Sequence, residues 1–258
     1  MIILKEIWQY RAMISSLVYR DLHGRYKGSV LGFLWTFINP LLQLLVYSIV
    51  FSVIMRMGIE KYGLFLFVAL IPWIFLSSSI INGSNCIIDN SNLVCKIYFP
   101  REVLPISVVN SNFINMLYSF IIVIGAVLVY GDNHIFINWL YLPLLFITEY
   151  VIVLGVTLIV AALTVYIRDL AHILGILVFA WQFLTPVLYP LSMVPEKYQY
   201  LFEFNPMTNI IVAYRDILFY NAAPDIIVIL KAFVYGAVLM VLGFVIFGKL
   251  KKGFAENL

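Results

Sequence analysis

Few residues in this chain could do chemistry, and they are scattered. Gly243 to Leu250 reads GFVIFGKL, within one residue of the phosphate-cradling pattern GxxxxGK[ST]. That loop needs a preceding strand and a hydroxyl that holds magnesium. Here Leu250 fills the hydroxyl position inside a long apolar run, so Lys249 reads as an inner-leaflet anchor. His23, His134 and His172 are far apart and match no HExxH, and no GxSxG occurs, so hydrolysis by metal or serine has no support. Cys86 and Cys95 lack CxxC spacing and read as small inert hydrophobes. An integral-membrane polyprenyl-phosphate transferase would need clustered acids binding magnesium, and Asp21, Asp89, Glu102 and Asp169 are isolated along the chain. The sequence therefore points away from an enzyme.

The elements that position these residues belong to a membrane. Of 258 residues, 64% are hydrophobic and 11% charged, against about 45 to 50% and 25% in soluble domains. Mean hydropathy is +1.02. A bilayer solvates such side chains but leaves every backbone polar group to be paired internally, which means helices or a closed barrel. Apolar runs of about 20 residues without alternation choose helices. The expected fold is all-α, an integral membrane protein of one domain (1–258) with spans at 31–55, 62–81, 106–130, 142–166, 173–190 and 226–248.

Lys and Arg orient the spans. With both termini cytoplasmic, eleven of the sixteen basic residues fall on the inner side, whereas Arg56, Lys61, Lys197 and Arg215 fall outside. Residues 1–30 lack the uninterrupted core and cleavage site of a secretory signal and are expected to stay attached. Within them Ile3, Ile7, Tyr10, Ile14, Leu17 and Val18 share one helical face, opposite Lys5, Gln9, Ser16 and Arg20. An amphipathic helix is expected to lie flat on the inner leaflet, either as an anchor or framing a site of arrival. Residues 191–225 are external and aromatic, with short periplasmic helices expected before the last span.

Polar residues recur within spans. Trp35, Asn39, Gln43 and Tyr47 share a face of the first; Asn112, Asn115 and Ser119 one of the third; Gln182, Thr185 and Tyr189 one of the fifth. Hydrogen bonding between helices explains any one stripe, while three together favour a polar route. The 20 Phe, 17 Tyr and 5 Trp supply interfacial belts and flat faces suited to sugars. Glu149 and Lys231 are ionisable residues inside spans, at similar depth and of opposite charge, and are expected to pair and fasten the fourth and sixth helices; a substrate-contacting Glu149 is the rival. Gly28 and Gly32 form a GxxxG at the membrane boundary, where a bend or close helix approach is expected.

One polar island, KIYFPREVLP at 96–105, interrupts the apolar pattern inside a cytoplasmic loop at 84–105. This stretch, together with RDLHGRYKGSVLGFLWTFINPLL (20–42), LIPWIFLSSSI (70–80) and YIRDLAHILGILVFAWQFLTPVLYP (166–190), resembles the ABC-2 permeases that export polysaccharides. The O-antigen type, Wzm-like, is the most similar, and capsule and teichoic-acid exporters are cousins. The resemblance covers nearly the whole chain in order. It implies a homodimer in the bacterial inner membrane, bound to two copies of a separate nucleotide-binding ABC subunit. ATP and magnesium belong to that partner, with no cofactor in this chain and no nucleic acid. The implied substrate is a polysaccharide on undecaprenyl pyrophosphate, as in lipopolysaccharide biosynthesis; exporters of drugs or lipids are alternatives.

The resemblance also implies residue roles. Asp89, Asn92, Leu93, Lys96, Phe99, Pro100, Arg101 and Glu102 would form the coupling segment that docks on the ATPase. Pro100 is expected to stop its helix, Arg101 and Glu102 to meet partner charges, and Pro105 to mark the return into the bilayer; an ordinary anchored loop is the alternative. Trp35, Asn39, Gln43, Tyr47, Phe51, Trp181, Phe183 and Tyr189 would line a channel between protomers. Arg25 and Lys27 would take the pyrophosphate or, alternatively, serve only as inner-surface anchors.

Overall fold

The computed structural model describes residues 2–25, 27–131 and 136–258; His134 and the side chain of Ile3 lie outside the described residues. The elements are Ile2–Gln9 (α1), Arg11–Gly24 (α2), Trp35–Ser48 (α3), Tyr62–Asp89 (α4), Ser91–Lys96 (α5), Val103–Tyr130 (α6), Leu142–Tyr166 (α7), Leu170–Phe183 (α8), Glu196–Glu203 (α9), Pro206–Leu218 (α10), Ile226–Leu250 (α11) and Phe254–Asn257 (α12). No strand occurs among the described residues. Five helical stretches are long and apolar enough to cross a membrane: Gly32–Ile54, Tyr62–Asp89, Val103–Tyr130, Phe136–Tyr166 and Ile226–Asn257.

The helix α4 is the spine, because its apolar residues run all round the helix and every side finds a neighbour. It packs against α3, α6, α7, α8 and α10, and Phe65, Leu66, Val68, Ala69, Leu70 and Leu76 are completely buried. By contrast, α3 and α8 sit at the margin. Leu41, Leu42, Leu45 and Val46 on the first, and Ile173, Ile176, Phe179 and Leu184 at the second, are exposed. After Ser48 the chain widens into an i→i+5 turn, with the Met55 amide on the Val50 carbonyl at 2.9 Å, before reversing into α4.

The most extensive helix contact joins α7 and α11, which run parallel: Gly236 meets Ile152, and Gly243 meets Gly155 and Leu158. In lipid no hydrophobic force drives helices together, so small residues that let backbones approach supply the attraction. A Cβ on Gly155 would lie 2.5 Å from the Met240 amide nitrogen and 2.6 Å from the Leu239 carbonyl carbon. Gly243, part of the near-match to a phosphate loop, is thus a seat for Gly155. Gly155→Ala is expected to force the seam apart and cost about 1–3 kcal/mol, the usual penalty of overpacking. Gly248→Ala, with nothing within 4 Å of the added carbon, should be neutral in the same detergent melts.

Several boundaries differ from the sequence reading. The second span continues as helix to Asp89, and the third begins at Val103, which narrows the intervening loop to 90–102. The fifth is helical only to Phe183, and residues 184–190 form turns. The N-terminal segment is two helices broken at Tyr10. Leu17 and Val18 of α2 are buried, and α2 packs on α6. Within 191–225, α9 is largely exposed, but α10 is buried among α4, α7 and α11 rather than lying at the surface. Asn205 caps α10 by accepting from the Met207 amide at 3.1 Å, with Pro206 following at the first helical position.

Candidate functional site

Polar side chains line three neighbouring cavities. At the end of the bundle that carries both termini, a cavity of about 660 Å³ is framed by Arg20, Asp21 and Arg25 from α2 and its C-terminal end, by Asn85 and Asp89 from α4, and by Ser107 from α6. Asp21 and Asp89, isolated in sequence, thus line one cavity, though no group of three metal-ligating residues occurs among the described residues. Arg25 donates to Asp21 at 2.8 Å and, 87 residues along the chain, to the Asn112 side-chain oxygen at 2.9 Å. It also lines the second cavity, of about 360 Å³, with Trp35, Asn39 and Gln43 from α3 and Asn112, Asn115 and Ser119 from α6. Gln43 in turn belongs to the third, about 200 Å³, with Tyr47, Ser77, Phe179 and Gln182.

The stripes of α3 and α6 therefore meet, with Gln182 of α8 beside them, forming a track of carboxamides and hydroxyls that begins at a cation. Asn112 Nδ2 and Asn115 Oδ1 are buried without a hydrogen-bond partner among the described residues. Asn39 and Gln43 are exposed on an otherwise apolar helix face. Amides carry donors and acceptors together, so this lining suits a ligand rich in hydroxyls and poorly suits hydrocarbon.

The expected channel residues divide. Trp35, Asn39, Gln43 and Tyr47 line the track. Phe51 packs between Tyr47 and Tyr62, at 6.5 and 6.2 Å between ring centres, and Trp181 packs edge-on to Trp73 at 6.0 Å. Phe183 is exposed, and Phe179, one turn earlier, is the aromatic of α8 that faces the third cavity. Tyr189 donates to the Phe183 carbonyl at 2.5 Å inside the turns after α8. Lys27 is exposed beside Gly28, a residue at φ +82°.

At the same end as the first cavity, α5 and the extended residues after it form a projecting loop. Asp89, Asn92 and Lys96 are exposed, as are Ile97 and Tyr98, the latter 96% so, while Leu93 is half-buried and Phe99 is buried. The helix ends at Lys96, and Ile97 turns extended (φ −126°, ψ 136°), so it stops four residues before Pro100. Pro100 instead begins the turn into α6, its carbonyl accepting from the Val103 amide at 3.0 Å. Arg101 and Glu102 are both engaged within the chain. Arg101 donates to the Lys251 carbonyl, and Glu102, completely buried, accepts from Lys251 Nζ at 2.6 Å. Arg20 ties the first cavity to this loop by donating to Asn90 at 2.8 Å.

Glu149 and Lys231 are not brought together. Glu149 is completely buried and accepts from the Tyr214 hydroxyl at 2.9 Å, beside Phe120 and Phe146, whereas Lys231 lies on the exposed face of α11. Equal depth in parallel helices does not imply equal azimuth. The pair that fastens elements here is therefore Glu149 with α10. Sequence reasoning also missed Arg215, one residue on from Tyr214. Its guanidinium donates to the carbonyls of Pro186 (2.5 Å), Val187 (2.6 Å), Tyr189 (3.2 Å) and Phe65 (3.4 Å) and lies 3.6 Å from the Phe65 ring centre. The available signal was a lone cation in the apolar run IIVAYRDILFY.

Comparison with known proteins gives a consistent picture. Residues 13–219 match the family described as ABC-2 type transporter. The chain is 37% identical over 260 residues to the O-antigen export system permease protein RfbA of Myxococcus xanthus, covering 99% of each. It is 35% identical over 240 residues to the protein of that name from Klebsiella pneumoniae, covering 93% of this chain and 92% of the other. The polysialic acid transport protein KpsM of Escherichia coli is 24% identical over 212 residues, 80% of this chain and 81% of KpsM.

Proposed function

The chain belongs to the ABC-2 type transporter family, and from that premise we propose that it is the membrane subunit of an exporter of lipid-linked O-antigen polysaccharide. The observation that carries this reading is identity of 34 to 37% over nearly the whole chain to O-antigen export permeases, against 22 to 24% over four-fifths of it to polysialic acid transport proteins. The track of amides supports it, since the transferred sugars present hydroxyls throughout.

The chain transports rather than catalyses, and ATP with magnesium acts in a separate subunit. Two copies of that subunit serve a permease homodimer in the inner membrane, with both termini cytoplasmic. Homodimerisation accounts for Asn39 and Gln43, which would otherwise face lipid, and for the bare apolar faces of α3 and α8. The substrate arrives as a glycan on undecaprenyl pyrophosphate. Arg25 meets its anionic head, with release from Asp21 freeing the guanidinium for phosphate oxygens. Arg25 and Asn112 then mark the passage from the first cavity to the second.

The exposed Ile97 and Tyr98 are the contact of the loop with the ATPase, because a side chain as bare as Tyr98 contributes little to its own fold. A strain lacking the gene should lose surface O-antigen and accumulate lipid-linked polymer on the cytoplasmic leaflet. Restoring it with Tyr98→Ala should return the permease to normal abundance but leave export reduced about tenfold or more, as for loss of an aromatic interface anchor. Unchanged surface O-antigen in the deletion strain would refute the assignment.

A further inference from the structure

We infer that the C-terminal segment Lys251–Leu258 is a latch that fastens the loop 97–102 to α7 and α11, with Lys251, Glu102 and Arg101 as positioning residues. The inference rests on the reading of that loop as the face an ATPase subunit pushes. By chain connectivity alone, a push on the loop reaches α4 through α5, and α6 directly. The latch adds a second route.

Its first part is an ion pair between residues 149 positions apart. Lys251 Nζ lies 2.6 Å from Glu102 Oε1, with the carboxylate side chain 1% exposed and the lysine side chain 30% exposed. A buried ion pair adds little stability over apolar groups of the same shape, so its value here lies in fixing where the loop stands. Its second part is Arg101, which donates to the Lys251 carbonyl at the end of α11, where the helix dipole favours a cation. The same guanidinium stands 5.8 Å from the ring centre of Phe254.

The segment is held just as firmly on its far side. Phe254 is completely buried, with its ring centre 5.4 Å from that of Phe247 and 6.2 Å from that of Tyr166. The Tyr166 hydroxyl donates to the Leu250 carbonyl at 2.7 Å, and Arg168 reaches the Asn257 carbonyl at 3.4 Å. Gly253 permits this approach, since a Cβ there would lie 2.5 Å from the Tyr166 oxygen. The latch therefore joins the loop before α6 to the ends of α7 and α11, the pair with the most extensive contact in the molecule. Movement of the loop is delivered to that pair as well as to α4 and α6.

The test has two arms. In the purified permease alone, in lipid nanodiscs, Lys251→Met should raise amide hydrogen exchange across 97–102 about tenfold while leaving α7 and α11 protected. Unchanged exchange would overturn the latch. In the permease–ATPase complex in vesicles, the same variant should still co-purify but export about tenfold less lipid-linked glycan per ATP hydrolysed, within the usual range of coupling between sites. Glycan per ATP within twofold of wild type would likewise overturn it. Should Lys251→Met fail to fold, the exchanged pair Glu102→Lys with Lys251→Glu decides: coupling restored to within threefold supports the latch, and a folded but uncoupled exchange refutes it. If the wild-type permease forms no complex with the ATPase, the docking reading falls, and the proposal with it.

Discussion

Replacing Arg215 with methionine is expected to destabilise the permease by about 3–5 kcal/mol, since several buried carbonyls lose their donor at a cost of about 1–3 kcal/mol apiece. The methionine fills much of the space but donates nothing. The carbonyls of Pro186, Val187 and Tyr189 then lose the group that gathers them into one turn, and the Phe65 ring loses its cation. Tyr62, donating to the Leu188 carbonyl at 2.7 Å, and Asn205, donating to Thr185 Oγ1 at 2.8 Å, would remain as ties from the segment to its neighbours. Arg215→Lys should fall between, because an ammonium keeps the charge without the planar fork. Thermal melts of the detergent-solubilised permease give the magnitude. A cysteine at Val187, buried in the native fold, gives the location. It should resist a membrane-impermeant thiol reagent in the wild-type background and react readily in the Arg215→Met background. Equal melts would show that the four carbonyls are satisfied without the arginine.

The second large effect concerns transport and leaves the fold alone. Asn39 and Gln43 are exposed on α3, one turn apart, and both line the second cavity. Asn39→Leu with Gln43→Leu makes α3 more apolar and removes no side-chain hydrogen bond among the described residues. Each sugar hydroxyl left without a partner in a desolvated track costs about 1–3 kcal/mol. Two such losses should lower surface O-antigen about 100-fold at unchanged permease abundance. Leu242→Ala, exposed on α11 and lining none of the three cavities, serves as the control and should export normally. Full export by the double leucine variant would place the route elsewhere.

Both effects depend on features whose legibility differs. The stripe of Asn39 and Gln43 follows from a spacing of four along one helix, and that of Asn112 and Asn115 from a spacing of three. What the period could not say is that α3 and α6 turn these faces toward each other, with Arg25 at the junction. Arg215 looked like one more external basic residue, because nothing near it in sequence announces three carbonyls from a turn 26 to 29 positions away. Pro100 invited the reading of a helix stop, but the helix had already ended at Lys96. Arg101 and Glu102 gave no sign of being engaged, because Lys251, which meets both, lies 149 to 150 positions along the chain.

What the sequence by itself determined is the solvent and the periodicity: a bilayer, helices long enough to cross it, and polar residues confined to particular faces. These follow from transfer free energies and backbone pairing, which are properties of each residue and its near neighbours. Only the tertiary structure decided azimuth and partnership. Glu149 and Lys231 share a depth, yet one faces Tyr214 and the other lies exposed, because the rotation of α7 against α11 is set by Gly155, Gly236 and Gly243 meeting backbone across the seam. Close packing of that kind is a relation between distant segments, and hydropathy along a single helix carries no record of it.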